Sequence, residues 1–562
     1  MYARYPIKGV TYPTEAEIAV SFNEGCALEK SAGNLIRDRA RTLRDKILLI
    51  SDKGTTTYGE FDRQTEVLAA ALLTSGLRPG DRAIFQMGTV EDTLLALFGC
   101  YKSGLIPVCT LPQHREHEIA AMIERTRPRA YFVQRDFSPN FDLVAFANHM
   151  AERHGHVSRV ISTGDCQGSL SCLATSMTYD LARSQLTGIE PDARDVLTLQ
   201  LSGGSTGVPK IIPRFHGEYL GQASSVVRRH RLTSSDIALW PLPLIHNAAM
   251  VVMVFPIILT GGTLVLQSKF DRREFLDAIE TNKVTYAGSI GPIAQSLLDD
   301  EDISTRDLRS MRMLFVLDRA DAIERHVGVP TVNLYGITEG LLMTCDPADP
   351  RDLRFATTGY PTGLRDEIQV LQIDGEAPAN EGQEGELCFR GPHMIRGYYD
   401  APELNSTAFT KDGFYRTGDI VKAANVSGKT SFTFLGRLKD NISRGGEKFA
   451  AEEVEHIIVR HPAVVDAKIV AMPDRLLGEK ACVFLVLRRG QPSPSVAELG
   501  RFLTESGLAR YKHPERIEVV SEFPVTRVGK VDKAAMRSMV AERMRLEDQP
   551  AQSLDVNISE GV

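Results

Sequence analysis

Between positions 201 and 210 the chain reads Leu-Ser-Gly-Gly-Ser-Thr-Gly-Val-Pro-Lys. Gly203, Gly204 and Gly207 let backbone N–H groups converge on an anion, and Ser202, Ser205, Thr206 and Lys210 add further donors, so the run has the chemistry of a phosphate cradle. It is not a Walker A loop, because Lys210 follows Pro209 and precedes Ile211 where that pattern needs Gly-Lys-Ser/Thr. A flexible loop has the same composition, so other segments must decide. Asn333-Leu334-Tyr335-Gly336-Ile337-Thr338-Glu339-Gly340 reads as a strand end and a turn, which leaves its glutamate unexplained. Tyr415-Arg416-Thr417-Gly418-Asp419 offers a carboxylate able to accept two hydrogen bonds at once. Gly436-Arg437-Leu438-Lys439-Asp440, Ser443-Arg444-Gly445-Gly446-Glu447-Lys448 and Pro524-Val525-Thr526-Arg527-Val528-Gly529-Lys530 follow in order.

These segments, in this order and over nearly the whole chain, resemble the adenylate-forming superfamily of acyl-CoA synthetases, luciferases and peptide-synthetase adenylation domains. The resemblance implies ATP and Mg²⁺ as cofactors. Ser202, Gly203, Gly204, Ser205, Thr206, Gly207 and Lys210 would cradle phosphates. Tyr335 with Gly336 would lie against adenine, and Thr338 and Glu339 would face the phosphates, with Glu339 toward the metal. Asp419 would hold the ribose hydroxyls, and Arg437 would join the nucleotide site. It implies Lys530 as the catalytic lysine, Lys439 as the hinge of a mobile C-terminal domain, and Gly445 and Gly446 as the lining of a pantetheine tunnel. The reaction joins two anions and expels a third, so charge neutralisation dominates and the attacking carboxylate needs no general base.

A narrower likeness is carried by Trp240-Pro241-Leu242-Pro243-Leu244-Ile245-His246-Asn247-Ala248-Ala249-Met250, by Ile211-Ile212-Pro213-Arg214 and by Asn441 to Glu453. These resemble the stand-alone aryl-acid:AMP ligases, of the 2,3-dihydroxybenzoate and salicylate types. The likeness puts His246 among the catalytic residues and gives Asn247 a hydrogen bond to an ortho substituent of the ring, hydroxyl or amino. Val252 stands where the dihydroxybenzoate pattern has a small hydroxyl residue and Leu342 where it has valine, changes that remove polarity or space and resemble the salicylate type, and Gly340 completes the pocket wall. Phe315-Val316-Leu317-Asp318-Arg319-Ala320 replaces a Gly-Gly-Ala turn, which makes Leu317 and Asp318 a remodelled pocket floor; Asp318 either accepts from a ring substituent or faces solvent. The implied function is activation of an ortho-hydroxy or ortho-amino aromatic acid, such as salicylate or 3-hydroxyanthranilate, to aryl-AMP. Transfer to the phosphopantetheine thiol of a carrier protein follows. An aryl-CoA ligase using free coenzyme A is the alternative, and a non-catalytic ligand-binding relative is disfavoured by the presence of Glu339 and Lys530. The acid, the acceptor and the oligomeric state stay open.

The elements that must position these residues are also legible. At 562 residues the chain exceeds one ordinary core. Its net charge of −7 gives no basic field for nucleic acid. Eight scattered cysteines suggest a reduced, cytoplasmic setting, with Cys388 a buried thiol in Leu387-Cys388-Phe389. No signal segment opens the chain, and the most apolar stretch, Ala248 to Leu259, is broken by Pro256 and reads as a buried helix rather than a membrane span. Helical and strand patterns alternate through the first three quarters: helix about Thr65 to Leu72, strand Asp81 to Gln86, helix Glu91 to Cys100, strand Thr263 to Leu266. That rhythm predicts two doubly wound α/β subdomains. Near Gly385 short strands announce a distorted β-barrel. The expected division is an adenylation core over 1–438, a small mobile α+β lid over 439–546 and a tail of low apolar content over 547–562. Within the lid the patterns predict helix Ala451 to Val459, strands Val465 to Ala471 and Ala481 to Leu487, and helix Val496 to Glu505.

Overall fold

The computed structural model describes residues 3–166, 168–202, 209–289, 291–317, 319–372, 375–380, 382–438, 441–524 and 531–547. Their named strands form four sheets. The first has six strands in the order Arg159–Ser162, Ala130–Val133, Arg82–Gln86, Ile106–Val108, Val196–Ser202, Lys210–Phe215. The first five run parallel and the last is antiparallel to its neighbour. Ala130–Val133 and Ile106–Val108 are buried throughout, the near-continuous apolar pattern of strands covered on both faces. Helix Tyr58–Thr74 starts where Thr57 and Glu60 form a reciprocal capping box, and helix Glu91–Ser103 ends on Gly104 at φ +75°.

The second sheet has nine strands, in the order Tyr360–Pro361, Leu342–Thr344, Thr331–Gly336, Met313–Val316, Tyr286–Gly288, Ile237–Trp240, Thr263–Leu266, Ile47–Ser51, Gly54–Thr57. Its central six strands are parallel, and antiparallel pieces finish both edges. The two doubly wound subdomains predicted from alternation are therefore present. The apolar stretch before Thr263 is buried from Ala249 to Ile258, but it is not a uniform helix: Ala249–Val254 is a π-turn leading into helix Phe255–Thr260. The Phe255 N–H reaches back five residues to the Met250 carbonyl. Pro256 has no N–H, so the irregular turn falls where the regular ladder must lose a donor. Among the described residues no helix is long and apolar enough to cross a membrane.

The expected barrel-like part is a four-stranded antiparallel sheet, Glu367–Leu371, Glu384–Arg390, Tyr415–Val426, Lys429–Arg437. Two of its strands, 12 and 9 residues long, exceed the short strands expected from sequence. Pairing jumps from Glu386↔Ile420 to Cys388↔Arg416, so Thr417, Gly418 and Asp419 bulge from the ladder with Gly418 at φ +70°. The glycine of the Tyr-Arg-Thr-Gly-Asp segment is thus the residue that allows the bulge presenting Asp419. Cys388 is fully buried, and burial pushes its thiol up to about 12. All eight cysteines are free.

Contacts divide the chain into two units, one holding most of 1–439 and the other holding 440–506 and 510 onward. The second unit is α+β: strands Asn441–Arg444, Glu447–Ala450, Val464–Asp474, Gly478–Leu487 and Arg516–Val519 form one sheet, with helices Ala451–Ile458, Val496–Glu505 and Lys533–Glu547. Gly445 and Gly446 are the two-residue connection of a hairpin in which Arg444 pairs with Glu447, at φ +58° and +91°. A two-residue hairpin with both central φ values positive selects glycine strongly, so turn geometry by itself accounts for both residues.

Candidate functional site

Strands Val196–Ser202 and Lys210–Phe215 pair antiparallel, with Ser202 opposite Lys210, so the two ends of the glycine-serine run face each other across a ladder. Residues 203–208 between them, including Gly203, Gly204, Ser205, Thr206 and Gly207, lie outside the described residues. The described ends converge on Glu339. The Ser202 Oγ donates to Glu339 Oε1 at 3.3 Å, and the Tyr398 hydroxyl donates to the same oxygen at 2.9 Å. Lys210 Nζ donates to the Tyr398 hydroxyl at 3.1 Å, and the Tyr415 hydroxyl lies 2.6 Å from it. Tyr398 is therefore a hub that its neighbours in sequence do not reveal: its phenol joins the lysine and the glutamate of two distant segments. Burial, and then the Glu339 carboxylate, hold the Tyr398 and Tyr415 phenols far above the ordinary range, so both stay protonated and able to donate.

Around Asp419, the Tyr335 hydroxyl donates to Asp419 Oδ2 at 2.7 Å, and the Tyr335 ring lies 5.9 Å from that of Phe434. Phe434 is 41% exposed while Tyr335 and Asp419 are buried, so an aromatic face opens beside a carboxylate. The Asp419 backbone is steadied by the Thr417 hydroxyl, which accepts its N–H at 3.0 Å. Glu386 accepts from Gly418 N–H and from Arg416, bracing the bulge from behind. Arg437 pairs with Asp419 through the backbone ladder; its side chain, and Lys439, Asp318 and Lys530, fall outside the description.

The turn carrying Glu339 is fixed by backbone. Gly340 adopts φ +121°, and a Cβ there would sit 1.8 Å from the His393 carbonyl oxygen. The Ile395 N–H donates to the Glu339 carbonyl at 2.9 Å, and Gln222 Nε2 donates to the Gly340 carbonyl at 2.6 Å. Arg214, wholly buried, supports the same turn: its Nη1 donates to the Thr338 carbonyl at 2.7 Å and to Asn247 Oδ1 at 3.4 Å. Its Nη2 reaches Gln222 Oε1 at 2.7 Å, and Nε with Nη2 grips Glu218. Burial disfavours the charge, but the Glu218 carboxylate more than offsets this and raises the Arg214 pKa.

Asn247 is half-buried, and its Oδ1 also accepts from the Tyr219 hydroxyl at 2.6 Å. The Asn247 oxygen is thus engaged by Arg214 and Tyr219, and the capacity left is that of the NH₂ group. Val252 and Leu342 are buried hydrocarbon, Val252 within the π-turn and Leu342 at the start of strand Leu342–Thr344. His246 is exposed, and its Nδ1 accepts from the Ala248 N–H at 3.3 Å. Leu317 is 42% exposed just past strand Met313–Val316. Arg214, Gln222, Tyr219, Tyr398 and Tyr415 were not read from sequence as site residues. Their one sequence signal, polar or phenolic groups inside apolar strand and helix faces, is shared by many core residues.

The geometry thus unites the two ends of the glycine-serine run, the buried carboxylate of Glu339, the Asp419 carboxylate beside an aromatic face, and an amide turned by an arginine. The chain is 35% identical to the 2,3-dihydroxybenzoate-AMP ligase of Bacillus subtilis, over 96% of this chain and 99% of that protein. It is 35% identical to the pyochelin synthase PchD of Pseudomonas aeruginosa, over 89% and 90%. Among solved structures, the apo structure of MbtA from Mycobacterium smegmatis superposes with a TM-score of 0.71 at 30% identity, covering 94% of this chain and 98% of that one. A family model described as AMP-binding enzyme matches residues 36–399, and one described as AMP-binding enzyme C-terminal domain matches 453–530. Carrying both matches, this chain belongs to the AMP-binding enzyme family.

Proposed function

We propose that this protein uses ATP to activate an ortho-substituted aromatic carboxylic acid and then transfers the aryl group to a phosphopantetheine thiol. In the first step a carboxylate oxygen bonds to the α-phosphorus of ATP as the bond to the β-phosphate oxygen breaks, giving aryl-AMP and pyrophosphate. In the second, the thiolate attacks the aryl carbonyl and AMP leaves with the bonding pair. The observation that carries the reading is the Arg214 bridge. One guanidinium holds both the Thr338 carbonyl, at the turn carrying Glu339, and Asn247, so the nucleotide side and the acid side are built on a shared support. The relatives named as a 2,3-dihydroxybenzoate-AMP ligase and as a salicylyl-CoA synthase / salicylate adenylyltransferase, 35% and 33% identical, support the aryl class.

In this reading Tyr335 and Phe434 receive the base, Asp419 the ribose, Lys210 with the glycine-serine run the departing phosphates, and Lys530 the phosphoryl oxygens and the acid carboxylate. The Tyr398 hydroxyl links Lys210 to Glu339, accepting from the lysine and donating to the carboxylate. Glu339 is 4% exposed and set among hydroxyl oxygens, a hard oxygen site that suits Mg²⁺. The described residues contain no cluster of three metal-ligating side chains, as befits an ion that takes its other ligands from phosphate and water. When bound, Mg²⁺ screens the phosphate charges. Arg444 is paired with Glu515 at 2.5 Å and with the Tyr511 carbonyl at 3.3 Å, which commits that guanidinium within its own unit.

Pyrophosphate exchange across classes of acid tests the proposal. Salicylate is expected to outrun benzoate about tenfold, the worth of one well-made hydrogen bond in a dry pocket. Aliphatic acids and α-amino acids should support no exchange above background. An α-amino or aliphatic acid as the best substrate would overturn the aryl reading.

A further inference from the structure

Asn247 does more in this fold than contribute an amide. A guanidinium has only N–H donors, so the Asn247 atom facing Arg214 Nη1 at 3.4 Å must be its oxygen. The Tyr219 hydroxyl fixes the same end. Its phenol is held protonated by burial, and its proton goes to Asn247 Oδ1 at 2.6 Å. Arg214 is in turn immobile, with Nε, Nη1 and Nη2 each committed to partners on Glu218, Gln222, Thr338 and Asn247. Rotating the amide by half a turn would set its NH₂ against the guanidinium, which has no acceptor to offer it, and would cost the oxygen both of its donors. Among the described residues the Asn247 Nδ2 has no acceptor.

We infer that Arg214 and Tyr219 lock Asn247 as a pure donor, so that the enzyme selects aromatic acids carrying a lone pair ortho to the carboxylate, a phenolic oxygen or a ring nitrogen, and discriminates against ortho-amino acids. The inference rests on the aryl-acid reading above and sharpens it. In salicylate the hydroxyl proton turns inward to the carboxylate and leaves oxygen lone pairs in the ring plane for the Asn247 NH₂. In pyridine-2-carboxylate the ring nitrogen offers an in-plane lone pair directly. An aniline nitrogen has its lone pair drawn into the ring and presents an outward N–H, so 2-aminobenzoate would set donor against donor. Of the two acids named from sequence, salicylate fits this lock and 3-hydroxyanthranilate does not. Tyr219 and Arg214 act here as positioning residues, through Asn247 and not on the substrate.

The test is kcat/KM for pyrophosphate exchange with 2-hydroxybenzoate, pyridine-2-carboxylate, 2-aminobenzoate and benzoate on the full-length enzyme, Asn247→Asp and Tyr219→Phe. For the unaltered enzyme the hydroxy acid is expected to exceed the amino acid by about tenfold or more, as for a site left with an unmet polar group. Asn247→Asp keeps the side-chain shape and the oxygen facing Arg214 but replaces the donor by an acceptor; it should reverse the hydroxy-to-amino ranking. Tyr219→Phe releases one of the two locks and should move that ratio toward one. A purely structural role would lower all four acids together and leave the ratios alone. The inference is overturned if 2-aminobenzoate matches or beats 2-hydroxybenzoate on the unaltered enzyme, or if Asn247→Asp keeps the original ranking. Should no aromatic acid support exchange at all, the aryl-acid reading itself fails, a result distinct from aryl activation with the wrong ortho preference.

Discussion

Replacing Lys530 by Ala is expected to slow adenylate formation by about 100-fold or more, the cost of removing a preorganised charge aimed at a transferring phosphoryl group. Thioester formation from supplied aryl-adenylate should continue, because that step expels AMP from an activated ester and needs no stabilisation of departing pyrophosphate. Lys530 follows Pro-x-Thr-x-x-Gly in the segment closing the family's C-terminal domain match. Gly445 and Gly446 lie in the second unit, ahead of the start of that match at residue 453. Pyrophosphate exchange read beside single-turnover thioester formation separates the steps. Equal losses in both would show that Lys530 is not dedicated to the first half-reaction, and the division of labour between the two segments would fall with it.

Gly340→Ala should be the most damaging single methyl group in the larger unit. The new Cβ would lie 1.8 Å from the His393 carbonyl oxygen and 2.6 Å from its carbon, at a φ of +121° that L-residues avoid. Backbone on both sides leaves no flexible side chain to yield. Strain and overpacking together put the cost at about 3 kcal/mol. Relief would require the turn to move, and Glu339 and the carbonyl gripped by Gln222 would move with it. A fall in the thermal midpoint together with loss of exchange activity is expected. Gly413→Ala, at φ +79° but with nothing within 4 Å, isolates the cost of the positive φ alone and should be much milder. Equal effects of the two substitutions would refute the role assigned to the His393 contact.

The parts of the molecule legible from sequence were those whose physics is local. The strands Arg82–Gln86 and Thr263–Leu266 announce themselves as apolar runs, and helix Val496–Glu505 begins at its own capping box of Ser495 and Glu498. The candidate residues of the nucleotide site stood in contiguous segments for the same reason. What was not legible depends on partners far apart in the chain. Tyr398 meets Lys210 across 188 positions and Glu339 across 59, so no window of sequence contains the hub. The donor-only state of Asn247 needs Arg214 and Tyr219, about thirty positions away on a strand and a helix that apolar periodicity shows only as core. The π-turn of Ala249–Val254 is written in an apolar run that reads equally well as a plain helix, and only the ladder reveals the reach to Met250. The bulge at Thr417 to Asp419 likewise needs the partner strand to define it, although Gly418 marks its place.

The central claim, that this protein makes an aryl adenylate, is tested most directly by mass spectrometry of a single turnover with enzyme in excess over salicylate, ATP and Mg²⁺ present and no thiol added. The predicted result is salicyl-AMP held on the enzyme, with pyrophosphate released in equal amount and neither ADP nor orthophosphate formed. ADP with orthophosphate would mean that the acid attacks the γ-phosphate, and unchanged ATP in the presence of salicylate and its ortho-hydroxy relatives would mean that no aryl acid is activated; either outcome contradicts the account.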